Sequence, residues 1–219
     1  MKNIKLQKGF TLVEMMVAMT IFVIFMGVVL QSYLSIVTMQ KEANEYRVMY
    51  SEARHIFDKF SDEVRNGTIS YGQTEKVSGL GVGALSNPLK AVVLVSSDAG
   101  RAVMFRHDGV ENDLEFAESL RDNFGNFVPK ESFNLNSDRI KVDSFKIYIS
   151  PLGDPYSPEN VDKNVTQYQP KVTVFAQFQK DIGGGKTLDL DLQTTISSRS
   201  YMPGYFQDDF IFGSTVETQ

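Results

Sequence analysis

Lys8-Gly9-Phe10-Thr11-Leu12-Val13-Glu14-Met15 opens an apolar run that continues to Leu30, and this stretch decides the fold. Between Phe10 and Leu30 Glu14 is the sole formal charge. At about 1.5 Å per residue the run reaches roughly 32 Å as a helix, close to the ~30 Å hydrocarbon core of a bilayer. Twelve of its residues are Val, Leu, Ile or Phe, together worth roughly −4 to −7 kcal/mol on an insertion scale. A carboxylate costs ~3 kcal/mol at the membrane centre and less near an edge, where Glu14 lies, so insertion wins. Lys2, Lys5 and Lys8 precede the run without an acidic residue, which predicts a cytoplasmic N-terminus and an outward-facing remainder. An ionisable group kept inside such a segment points to a function, and its first candidate role is to meet a positive partner present only in an assembled state.

A secretory signal peptide has a shorter apolar region and a small-residue cleavage site, whereas this run is longer and leads into helix-forming sequence. An ordinary signal anchor explains length and lysines but leaves Gly9-Phe10 and Glu14 without a reason. The octapeptide resembles the prepilin cleavage and methylation motif of type IV pilins and type II secretion pseudopilins. That resemblance implies a leader peptide, residues 1–9, removed by a membrane prepilin peptidase that cuts between Gly9 and Phe10 and N-methylates Phe10. It implies a glutamate, here Glu14, that pairs with the free amine of Phe10 in a neighbouring subunit during filament assembly. The implied partners are the peptidase, other pilin or pseudopilin subunits, an inner-membrane assembly platform and, before assembly, lipid. The implied place is the bacterial inner membrane in a single pass, then a periplasmic or cell-surface filament.

Net charge is −5. Without residues 1–9 nineteen basic side chains face twenty-seven acidic ones, giving −8, a balance that disfavours a sequence-independent grip on nucleic acid. There is no cysteine, so an outward-facing domain must be held by its core, which the ~190 residues beyond the membrane segment can supply. Many pilins of the resembling family carry a C-terminal disulfide loop, and its absence leans towards pseudopilins or cysteine-free relatives.

After Gly27 neither Gly nor Pro occurs until Gly67. Tyr33, Ile36, Val37, Ala43, Tyr46, Met49, Tyr50, Ala53, Ile56, Phe57, Phe60 and Val64 recur at steps of three and four as one apolar stripe. Arg65-Asn66-Gly67 supplies a basic last turn and a glycine where a left-handed cap falls. One helix is therefore expected from Phe10 to about Asn66, a membrane half over 10–34 and an amphipathic half over 35–66. Gly27 reads as an ordinary membrane-helix glycine.

Residues 67–200 form the expected β domain. Residues 67–90 read as an irregular connection, followed by a hairpin of Ala91–Val95 and Arg101–Arg106. Residues 110–130 are ambiguous, with a strand around Leu114–Phe116 and a loop through Asn123, Gly125 and Pro129. Ile140–Val142 and Phe145–Ile149 read as two strands, Pro151–Pro170 as a long surface loop, and Val172–Phe178 with Leu188–Ile196 as a hairpin turned by Gly183-Gly184-Gly185. A long helix followed by period-two strands makes an α+β protein whose antiparallel sheet covers the helix stripe, an order that also resembles the pilin fold. The tail, 201–219, is dense in Tyr and Phe and reads as a strap over a sheet edge, with a partner-binding surface as the alternative.

No catalytic constellation is present in the sequence, and the chain does not read as an enzyme. His55 and His107 lack companions for a metal site or a nucleophile–base pair and read as surface or boundary residues. Gly183-Gly184-Gly185-Lys186-Thr187 lacks phosphate-loop spacing and precedes a strand, so it is a turn. Asp154, Glu159 and Asp162 are the candidate oxygen ligands for calcium, as in a loop of some resembling pseudopilins; their spacing matches no EF-hand, and no cofactor is expected. The leading function is a filament subunit, and its size and loops resemble the J-type minor pseudopilins. The alternative is a membrane-anchored extracytoplasmic module that captures a secreted substrate or DNA.

Overall fold

The computed structural model describes residues 9–81, 83–155, 157 and 169–198. Contacts divide the chain between Tyr46 and Arg47 into two compact units. In the first, the described residues are helical from Leu12 onward, the beginning of α1 (Leu12–Asn66). Their large apolar side chains are exposed, from Phe10 at 80% to Tyr46 at 43%, with Val37 alone half-buried.

In the second unit the last turns of α1 bury Met49, Ala53, Ile56, Phe57, Phe60 and Val64. This is the expected stripe, but burial starts at Met49, while Tyr33, Ile36, Tyr46 and Tyr50 stay exposed. Periodicity marks apolar positions; it does not say which of them receive a covering layer.

The helix end runs directly into β1 (Gly67–Ile69), and α2 (Tyr71–Val77) follows. The expectation of an irregular connection over 67–90 is thus corrected in its first half. Gly67 is also not a left-handed cap, since its φ is not among the positive ones. It is required for closeness: a Cβ there would lie 2.8 Å from the Glu63 carbonyl oxygen and 3.1 Å from that of Val95.

β1, β2 (Ala91–Ser96), β3 (Arg101–Asp108), β4 (Asp113–Arg121) and β5 (Phe127–Asn134) form one antiparallel meander, and β6 (Lys141–Ser150), β7 (Lys171–Gly183) and β8 (Lys186–Ser197) form another. The fold is α+β with a long helix against antiparallel strands, as expected, but the strands divide into two sheets rather than one. Phe60 shows how both share one helix: its ring lies 4.9 Å from Phe105 in the first sheet and 5.9 Å from Phe145 in the second, both edge-on. A buried ring of this size contributes roughly 1.5–3 kcal/mol by burial alone, and its edge-to-face partners add to that. The far face of the first sheet buries Val93, Met104 and Ala117 beneath Val77 of α2, which explains why β2 reads as continuously apolar.

Three strand readings are corrected. β5 occupies residues read as a loop, because Pro129 sits on an edge strand beside a bulge at Lys130, which faces the step from Glu118 to Ser119, where a missing N–H costs no ladder bond. β4 extends well beyond Leu114–Phe116. The two strands read over 140–149 are a single β6 whose register slips between Val142 and Ser144, so the apolar phase changes from even to odd positions and imitates a break. The β7–β8 hairpin stands as expected, with Gly183, Gly184 and Gly185 all at positive φ.

Candidate functional site

Thr11 and Glu14 form the N-terminus of α1 as a reciprocal pair. The Glu14 N–H donates to Thr11 Oγ1 at 3.2 Å, and the Thr11 N–H donates to Glu14 Oε2 at 3.4 Å. This is a capping box, Thr-x-x-Glu, which satisfies two of the helix's orphan donors and places a negative charge where the helix dipole favours it. Thr11 is a residue that reading by charge alone misses; its signal is a threonine three residues before a glutamate at the head of an apolar run.

Other polar groups of the apolar segment are satisfied within the helix. The hydroxyls of Thr20, Ser32 and Thr38 donate to the carbonyls of Met16, Val28 and Leu34, which suits a helix with no water around it. Glu14 differs, because one long bond from Thr11 leaves most of its acceptor capacity open. Phe10 and Glu14 are both exposed, and among the described residues nothing lies within 4 Å of a Cβ built on Gly9 or on Gly27. The bond between Gly9 and Phe10 is therefore presented openly, ahead of the first helical turn. The helix is long and apolar enough to cross a membrane, and none of its most apolar window is buried within the chain.

The other named residues lie elsewhere. His55 is exposed on α1. His107 is 8% exposed, where a surface or boundary position was expected: Nε2 donates to the Val142 carbonyl at 2.7 Å, so the ring ties β3 of one sheet to β6 of the other. Asp154 is described, with its carbonyl accepting from the Ser157 N–H, whereas Glu159 and Asp162 lie outside the described residues, as do residues 1–8 and the tail 201–219.

The densest charge cluster lies at the C-terminal end of α1. Arg101 donates through Nη1 and Nη2 to the two Glu63 oxygens at 2.7 and 2.8 Å and through Nε to Glu118, while Lys130 Nζ reaches Glu118 at 3.0 Å. Glu63 hydrogen-bonding holds the Arg101 guanidinium firmly charged against the cost of burial. Burial pushes the Glu118 carboxyl up, but the bonds from Arg101 and Lys130 more than offset it and the net shift is downward. Every charge has an opposite partner, so the cluster locks helix to sheet and has no group left poised for proton transfer.

No curated protein and no solved structure matches the chain. A family model does match at residues 4–30, the prokaryotic N-terminal methylation motif, and so the segment that holds Gly9, Phe10, Thr11 and Glu14 is a methylation-motif N-terminus.

Proposed function

We propose that the protein is a structural filament subunit, processed between Gly9 and Phe10, N-methylated on Phe10 and assembled through α1 into a type IV pilus or a type II secretion pseudopilus. The observation that carries this reading is a methylation-motif N-terminus on a helix whose apolar face from Phe10 to Leu30 is wholly exposed in the monomer. Such a surface is stable in lipid before assembly and against neighbouring helices afterwards. Glu14 then carries the assembly step. Its carboxylate is engaged on one side only, and the Phe10 amine of a neighbour supplies the missing donor and charge, which fixes axial register. Membrane lipid, the prepilin peptidase, the assembly platform and sister subunits are the partners, in an inner-membrane single pass with the globular unit outside.

A minor, low-copy role similar to the J-type pseudopilins is supported by the two-sheet unit, larger than a single sheet over one helix requires. The test is the intact mass of the protein from its native membrane. A chain beginning at Phe10 and heavier by one methyl group supports the reading, and a chain beginning at Met1 or cut after Leu30 overturns it.

A further inference from the structure

A peptidase must bring its reacting group to a carbonyl in a defined near-attack geometry, and extended chain suits it because the backbone groups are free to pair with the enzyme. A bond inside a regular helix offers neither. The apolar segment of α1 works against that requirement, since in lipid every unpaired N–H and C=O is costly and a helix gains by lengthening at its ends. Something must stop α1 from growing back over the bond between Gly9 and Phe10.

Gly9, Phe10 and Thr11 all lie outside the helix, which begins at Leu12. Three bonds set the boundary at Thr11. Its carbonyl accepts from the Met15 N–H at 3.2 Å, the first bond of the helical ladder. Its hydroxyl accepts from the Glu14 N–H at 3.2 Å, and its own N–H donates to Glu14 Oε2 at 3.4 Å. A threonine bonded in this way is an N-cap, a residue whose own backbone stays non-helical while the next one opens the helix. For α1 to start earlier, the Thr11 N–H would have to join the helical ladder, and both reciprocal bonds would be lost. Gly9 adds resistance from the other side, because glycine is a poor helix former. Phe10 is thus kept out of the helix by a neighbour on each side.

We propose that Thr11 is a positioning residue for cleavage between Gly9 and Phe10: acting through its cap, it ends α1 just short of that bond and keeps Phe10 in non-helical backbone for the peptidase. This rests on the processing reading above, whose independent support is the methylation-motif match over residues 4–30. The step is hydrolysis. Water adds its hydroxyl to the Gly9 carbonyl carbon as the C–N bond breaks, and the Phe10 nitrogen takes the remaining proton and leaves as a free amine.

The test follows conversion of the full chain in its native membranes after pulse labelling, by the mass lost with residues 1–9, together with the Cα chemical shift of Phe10 in detergent micelles. Thr11→Ala removes the cap and favours helix through residue 11. Conversion is expected to slow by about fivefold, the ratio equivalent to a cap of about 1 kcal/mol, and the Phe10 shift to move towards helical values. Thr11→Ser and Thr11→Asn cap at least as well as threonine but differ in shape, and both are expected to restore rate and shift. Rescue by asparagine separates capping from recognition of a hydroxyl. Thr20→Ala removes a hydroxyl that bonds the Met16 carbonyl deeper in the segment and should change neither readout. Equal conversion of wild type and Thr11→Ala, slowed conversion with an unmoved Phe10 shift, or rescue by serine without asparagine overturns the proposal and leaves the processing reading standing. A wild-type chain that keeps Met1 overturns both.

Discussion

Arg101 grips Glu63 with two parallel hydrogen bonds, 2.7 and 2.8 Å long, and thereby clamps the last turns of α1 onto the start of β3. Replacing Arg101 by Leu leaves the partly buried Glu63 carboxylate without its cation and Glu118 with Lys130 alone. The expected loss is about 2 kcal/mol, discounted because roughly a third of the arginine side chain is solvent-exposed. Urea unfolding measures it, and a cycle with Glu63→Gln should return a coupling of about 1 kcal/mol. A loss no larger than that of a surface arginine would show that the clamp is only decorative.

Acid should release the same cluster. Because the Glu118 carboxyl is held below its ordinary value, its contribution is present above that value and disappears as pH falls through the folded one. Wild-type stability should therefore fall between roughly pH 6 and pH 3 more steeply than that of Glu118→Gln. Parallel pH profiles for the two proteins would contradict this assignment.

Gly67→Ala tests close approach rather than conformational freedom. The added methyl would sit 2.8 Å from the Glu63 carbonyl oxygen, a backbone atom that cannot swing aside. The helix end or β1 must shift, at an expected cost of about 1–3 kcal/mol, read as a lower thermal midpoint. Gly81→Ala, where a Cβ meets nothing within 4 Å, is the control and should change little.

Charge and capping can be separated at the N-terminus. Glu14→Gln keeps an oxygen able to accept from the Thr11 N–H but removes the charge, and Thr11→Val removes the reciprocal acceptor while leaving Glu14. If Glu14 serves assembly through an amine partner, Glu14→Gln should insert into membrane normally yet abolish filament incorporation, while Thr11→Val costs about 1 kcal/mol of helix end and incorporates. Equal incorporation of the two variants would assign Glu14 to capping alone.

Where reading and structure part, the cause lies in how backbone groups are paired. β6 read as two strands because a bulge at Asp143 inverts the phase of its apolar residues, and β5 read as loop because Pro129 breaks the strand pattern although the edge tolerates it. His107 carries no motif, and its burial comes from a β6 carbonyl thirty-five residues away. Thr11, in contrast, was legible, since its relation to Glu14 spans three residues.

The sequence by itself determined the apolar helix, its methylation-motif start, the apolar stripe from Tyr33 to Val64 and the β7–β8 hairpin, because each rests on periodicity or spacing within one segment. Only the tertiary structure decided that the strands divide into two sheets over one helix, that Gly67 is there for nearness, and that burial of the helix stripe begins at Met49. Those are relations between residues far apart in sequence, and they depend on which backbone groups find partners once the layers close, a condition that no local pattern encodes.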